Sequence, residues 1–191
     1  NILNGLLEPM SKLLVGNSAG LALLGIYEVA YKVVALPRNA LVAGALAISP
    51  AMTSLLAKDV VAARRLYQAT LKRLSIYSGL AMLVVSLGSP IAAILIFGSS
   101  DKVFSLFVLI MASGFWLNAI GAPAYILGFS SGRLRGNVVS TACSMIALFS
   151  SYAILVNVSA TFGPVLASAL ALAVGGGVVF SINRKLLLNG R

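Results

Sequence analysis

The chain has 191 residues, 60% of them hydrophobic and only 9% charged, with a mean hydropathy of +1.02. A soluble domain carries about 25% charged residues, so composition excludes an ordinary globular protein and indicates a membrane protein. The absence of histidine and the single cysteine, Cys143, remove zinc sites, Cys/His nucleophile pairs and internal disulfides, so no metal or other cofactor is expected; the net charge of +10 must be tested against membrane topology before nucleic acid is invoked.

Taken in order, six apolar segments approach the roughly 20 residues that cross a bilayer. Segment A, from Asn1 to about Gly16, opens in mid-span without a charged leader, so the chain is expected to be a piece of a longer one. Asn17, Ser18, Ala19 and Gly20 form the expected turn after it. Segment B, from about Leu21 to Ala57, would reach roughly 55 Å as a straight helix, well beyond a hydrocarbon core of about 30 Å. It is therefore expected to kink at Pro37 and Pro50 and to leave the membrane before Lys58. Segments C (Leu74 to Phe97), D (Val103 to Phe129), E (Val138 to Val158) and F (Pro164 to Ile182) follow. Turns are expected at Gly98, Ser99 and Ser100, at Ser130, Ser131 and Gly132, and between Asn157 and Gly163.

The loop charges orient these six spans. With B as one span, Lys58, Arg64, Arg65, Lys72, Arg73, Arg133, Arg135, Arg184, Lys185 and Arg191 fall on one side and only Lys102 on the other. This is the positive-inside pattern with both ends cytoplasmic, and splitting B at Pro37 would move five of the ten to the wrong side. Topology and anionic lipid thus account for most of the +10, and no nucleic-acid partner is expected.

Five charges remain inside spans: Glu8 and Lys12 in A, and Glu28, Lys32 and Arg38 in B. A charge at a helix centre costs roughly 2.5–3.5 kcal/mol on insertion scales, so each should face a protein interior or a wet cavity. Glu8 and Lys12, and likewise Glu28 and Lys32, are four residues apart and can form intrahelical ion pairs, which leaves Arg38 without a local carboxylate. Tyr31 and Tyr27 precede Arg38 by seven and eleven residues, so one face of B carries two phenols and a guanidinium. Such a face suits a ligand with sugar and phosphate parts, since phenols stack on and hydrogen-bond to sugars while Arg and Lys attract phosphate oxygens. The alternative is structural: the two pairs neutralise each other at a helix interface and Arg38 snorkels or pairs with a part of the protein not in this chain. Asn39 and Asn118 are candidates for interhelical hydrogen bonds or for a cavity wall. Pro37, Pro50, Pro90 and Pro123, with Gly44, Gly79, Gly114, Gly121 and Gly128, fit bent or closely packed transmembrane helices, as does the run Gly175, Gly176, Gly177.

Other motifs carry no weight. Ser99 to Lys102 spells a serine-nucleophile pattern without partner motifs, Asn157-Val158-Ser159 is a three-residue sequon, and Cys143 is expected to pack as a small apolar residue. With no phosphate-binding glycine loop and few outer-turn acids, no enzymatic activity is expected.

The stretch from Gly16 to Asp59, with Gly25, Tyr27, Ala30 and Pro50 at its fixed points and the basic run Arg64 to Arg73 behind it, resembles the start of the C-terminal half of bacterial polysaccharide flippases. Pro123, Gly128, Gly132 and Arg133 resemble that family's helix end with its Gly-Arg loop. Phe162 to Ala171 resembles the start of its final helix, with departures at Pro164 and Ser168. The resemblance implies the multidrug/oligosaccharidyl-lipid/polysaccharide exporter superfamily, an all-α polytopic fold of two six-helix lobes about a central cavity, in which residues 1–191 are the second lobe and its first two helices face the cavity. It further implies a flippase of the bacterial cytoplasmic membrane moving a polyprenyl-pyrophosphate-linked oligosaccharide, such as an O-antigen, capsule or exopolysaccharide repeat unit, by alternating access. Lys12, Lys32 and Arg38 would attract pyrophosphate, Tyr27 and Tyr31 would contact sugar, and Glu8 or Glu28 would couple to a proton or sodium ion. The expected partners are that lipid-linked substrate, membrane lipids and the N-terminal lobe. A multidrug/cation antiporter of the same superfamily, a membrane-embedded envelope-sugar enzyme and a structural subunit of a membrane complex are the competing readings; the first should show acidic cavity residues, and segment D has none.

Overall fold

The computed structural model describes the backbone of residues 2–188 and the side chains of residues 6–187; Asn1 and the tail cation Arg191 lie outside the described residues. Seven helices follow in order: α1 (Ile2–Leu46), α2 (Ser49–Lys58), α3 (Val60–Phe97), α4 (Lys102–Ser130), α5 (Arg135–Leu155), α6 (Gly163–Asn183) and the short α7 (Lys185–Leu188). Helical stretches long and apolar enough to cross a membrane number five among the described residues, the first of them running from Leu6 to Lys58. The protein is all-α and polytopic.

That first stretch is two limbs. Gly20 has φ 85° and ψ 170°, a non-helical conformation that an L side chain would strain, and it interrupts α1 between residues 2–19 and 21–46. In a straight helix Lys12 and Glu28 would stand about 24 Å apart. Their side chains instead meet at 3.1 Å, so the chain reverses at Gly20 and the limbs lie against each other. Of the expected turn at residues 17–20, only Gly20 leaves helical geometry. The backbone stays helical through Pro37. The second break falls at Ala47 and Ile48, and Pro50 sits in the first turn of α2, where its missing N–H lacks an intrahelical acceptor in any case.

Where hydropathy puts a loop between segments B and C, residues 60–73 are the first turns of α3. Asp59 alone separates α2 from α3, and its carboxylate caps the new helix by accepting from the Ala62 N–H at 2.9 Å. Asp101 does the same for α4, accepting from the Val103 and Phe104 N–H groups at 2.8 and 3.1 Å. Gly98, at φ 75°, ends α3 in the left-handed region.

Side-chain contacts fix the helix directions. On α4, Tyr27 meets Phe107, Arg38 meets Asn118 and Ser49 meets Ser130, so the second limb and α4 run parallel. Phe97 stacks edge-on with Phe104 while the Trp116 indole donates to the Ser75 carbonyl, so α3 is antiparallel to α4. The tightest seam joins α4 to α6 through small residues seven apart. A Cβ on Gly114 would come 2.7 Å from the Ala169 backbone, one on Gly121 2.6 Å from the Gly176 carbonyl, and one on Gly128 would strike Asn183. Two buried asparagines lock the far end of this seam: Asn183 donates to the Ala124 carbonyl at 2.9 Å and to Asn137 Oδ1 at 2.7 Å, while Asn137 donates to the Tyr125 carbonyl. With no water in a bilayer core, such interhelical bonds and close backbone contact replace the hydrophobic effect as the glue. The alternating directions bring the ends of α2, α4 and α6 and the starts of α3 and α5 together, and with them Lys58, Arg64, Arg65, Arg133, Arg135, Arg184 and Lys185.

Candidate functional site

The hairpin at Gly20 assembles four of the in-span charges into one chain. Lys12 Nζ lies 2.7 Å from Glu8 and 3.1 Å from Glu28, and Lys32 Nζ lies 3.0 Å from Glu28. The two intrahelical pairs foreseen from spacing are thus joined by Lys12 across the limbs. The Lys32 side chain is 65% exposed on the helix surface. A charge this bare in lipid would be costly, so this face meets protein or water rather than acyl chains.

Arg38 stands apart from that network. Its Nη2 donates to Asn118 Oδ1 at 2.6 Å and its Nη1 to Asn39 Oδ1 at 3.0 Å, and its Nε is buried without a hydrogen-bond partner. Among the described residues no carboxylate lies within ion-pair distance of it. Amide oxygens orient the guanidinium but leave its positive charge whole. Asn118 is held in turn by α6, donating to the Leu172 carbonyl at 3.0 Å.

The aromatic rings divide. Tyr31 packs edge-on against Phe115 at 5.2 Å and beneath Lys12, whose Nζ is 5.9 Å from its ring centre. Tyr27 is fully buried between Tyr31 and Phe107, and its hydroxyl, beside Ser11 and Ser168, makes no hydrogen bond among the described residues.

A cavity of about 400 Å³ opens among α1, α4, α5 and α6. Its volume falls within the range of ordinary ligand sites. Glu8, Tyr31, Arg38, Asn39 and Asn118 line it. Lys12, Glu28 and Lys32 reach it only through Glu8, and Tyr27 lies behind its wall. The rest of the polar lining was missed by sequence reasoning: Ser140, Thr141 and Ser144 of α5, with Tyr125 of α4 and Gly175 of α6. The three small hydroxyls lie at i, i+1 and i+4 on one side of α5, and that spacing is the signal that could have found them.

The cavity therefore brings the charge-retaining Arg38, the carboxylate of Glu8 and three small hydroxyls together inside a membrane bundle. Searches among curated proteins and among solved structures return no match. A family model described as "Polysaccharide biosynthesis protein" matches residues 1–121, which takes in both limbs of α1, the in-span charges, Asn118 and the bundle as far as Gly121. That match covers more than half of the chain and agrees with the flippase resemblance of the same stretch, and by it the chain belongs to the polysaccharide biosynthesis protein family.

Proposed function

We propose that this chain is one lobe of a flippase that carries a polyprenyl-pyrophosphate-linked oligosaccharide across the bacterial cytoplasmic membrane by alternating access. The observation that carries this reading is the Arg38 guanidinium in the cavity wall, oriented by two amides and neutralised by no carboxylate among the described residues. An anion entering the cavity meets a full positive charge at low dielectric, where charge-assisted bonds are strongest. Lys12 and Lys32 extend the positive potential along the hairpin, and Tyr31 offers a ring and hydroxyl to the adjoining sugar. Tyr27 supports Tyr31 from behind. Glu8, which both lines the cavity and ends the ion chain, is the group best suited to couple transport to a proton or sodium ion, with Glu28 next along the chain. The exposed charged face of the hairpin would be covered by a second, N-terminal lobe, which completes the cavity. The basic ends at Lys58 to Arg73 would lie in the cytoplasm.

The antiporter reading requires acidic groups facing a cationic substrate, and the cavity wall offers Glu8 alone against Arg38. The test is export. In cells whose only copy carries Arg38→Ala, at normal expression, surface polysaccharide should fall about tenfold or more, since a lost bond to a charged group is worth roughly 1.5–3 kcal/mol. Unchanged export in both Arg38→Ala and Lys32→Ala would overturn the reading.

A further inference from the structure

A second void, of about 10 Å³, lies beside the cavity and shares Glu8 and Tyr31 with it. Ser11 of the first limb, Met111 of α4 and Ser168 of α6 belong to its wall. Its size is the lower bound for one water molecule. Ser11 Oγ donates its proton to the Leu7 carbonyl at 2.8 Å and Ser168 Oγ to the Pro164 carbonyl at 2.9 Å, so both serines have lone pairs to offer and no proton. Pro164 and Ser168, the two departures from the flippase pattern at the start of the final helix, are thus hydrogen-bonded to each other.

Tyr27 is the reverse case. Its hydroxyl stands beside Ser11 and Ser168, is fully buried, and has no hydrogen-bond partner among the described residues. A buried hydroxyl left unpaired costs its full desolvation. Nor does any direct hydrogen bond join the first limb to α6 among the described residues: Ser11 and Ser18 bond within the limb, and Lys12 reaches the second limb. Lone pairs without a donor and a donor without an acceptor therefore meet around a void of one water's size.

We propose that this void holds one ordered water, which accepts from the Tyr27 hydroxyl and donates to the Glu8 carboxylate and to the oxygen of Ser11 or Ser168. Three bonds is the usual number for a buried water, and polar walls keep such a void wet where apolar ones leave it dry. The water ties the first limb, the second limb and α6 at one point. It also gives Glu8 a second hydrated face. A ligand that enters the cavity displaces the water in front of the carboxylate, and the water behind it keeps the charge from being stranded at low dielectric. The site stands whatever the cavity carries, and does not rest on the flippase reading.

The experiment is radiolytic footprinting of the purified intact protein in detergent. An X-ray pulse makes hydroxyl radicals wherever water stands, so a trapped water oxidises the residue beside it even where bulk solvent does not reach. Met111 is 0% exposed, and Met82, packed among apolar neighbours, is 4% exposed. Met111 should nevertheless convert to the sulfoxide several times faster than Met82. A Met111 as inert as Met82 overturns the water site. The melting temperature of Tyr27→Phe gives a second reading. It should fall by about 2–4 °C, the loss of one hydrogen bond. In a dry void the variant would shed an unpaired hydroxyl and melt higher, which overturns the site. A direct bond from Tyr27 to a serine, without water, would give the same fall but leave Met111 inert, and the footprint of the wild type alone separates the two.

Discussion

At Asn118, one carboxamide decides whether Arg38 is a charge or half of an ion pair. Its oxygen holds Nη2 at 2.6 Å and its nitrogen is spent on the Leu172 carbonyl. Asn118→Asp keeps the shape, but the carboxylate would pair with the guanidinium and present a neutral wall to an anion. Export of surface polysaccharide should then fall to the level of Arg38→Ala; aspartate has no N–H for the Leu172 carbonyl, so the melting temperature should also fall, though less than in Asn118→Ala, because the bond to the guanidinium is kept. Asn118→Ala removes both bonds and leaves a buried carbonyl and a half-held guanidinium, at a cost of about 1–3 kcal/mol, so it should lower both export and melting temperature. If Asn118→Asp exports normally, the uncompensated charge of Arg38 is not what the cavity uses. The missing counter-charge at Arg38 was readable from sequence because no acid lies at helical spacing from it. Its partner at position 118 was not, since eighty residues separate the two and only the packing of α1 on α4 brings them together.

At the level of elements, the α4–α6 seam is where single atoms matter most. Gly114, Gly121 and Gly128 face Ala169, Gly176 and Asn183 at a spacing of seven, so the two backbones touch along their length. Gly121→Ala sets a methyl group 2.6 Å from the Gly176 carbonyl and should destabilise by about 1–3 kcal/mol through overpacking. Gly177→Ala, one residue beyond, meets nothing within 4 Å and should be neutral or slightly stabilising by helix propensity. Thermal unfolding of the pair in one detergent checks the contrast; equal melting temperatures would mean that the seam is looser than its geometry. The apolar helices and the all-α polytopic class were legible because bilayer thickness sets a length scale that composition reveals. Residues 60–73 read as a loop because a hydropathy window weighs charge and ignores phase. The buried positions Ala63, Tyr67 and Leu74 recur at helical spacing there, while Arg64, Arg65, Lys72 and Arg73 take the outer faces. The hairpin at Gly20 was legible as a turn, but its sharpness was not, for nothing in a composition of Asn, Ser, Ala and Gly says that one residue suffices.

For the molecule as a whole, the question is which end of the bundle faces the cytoplasm. The parallel run of the second limb, α4 and α6, with α3 and α5 antiparallel to their neighbours, forces alternate connections to opposite ends. One end gathers the starts of α3 and α5 and the termini of α2, α4 and α6, where the loop cations concentrate; the other holds Gly98, Ser99, Ser100 and Lys102. An anionic inner leaflet attracts such a cluster by about 1 kcal/mol per cation near its surface, which is enough in sum to set orientation. Ser100 and Leu134 are exposed and lie at opposite ends. In the intact protein with Cys143→Ser, Ser100→Cys should react with a membrane-impermeant maleimide in spheroplasts, and Leu134→Cys should react only after permeabilisation. The reverse pattern would turn the bundle over and leave seven or more cations on the outer face, and labelling of both sites in sealed spheroplasts would break the alternation on which the six-limb topology depends. Position 38 gives the same reagent a further use. Arg38 lies in the cavity between these two ends, so in a protein that alternates its access Arg38→Cys should react from either side, and a substrate analogue occupying the cavity should slow both reactions together.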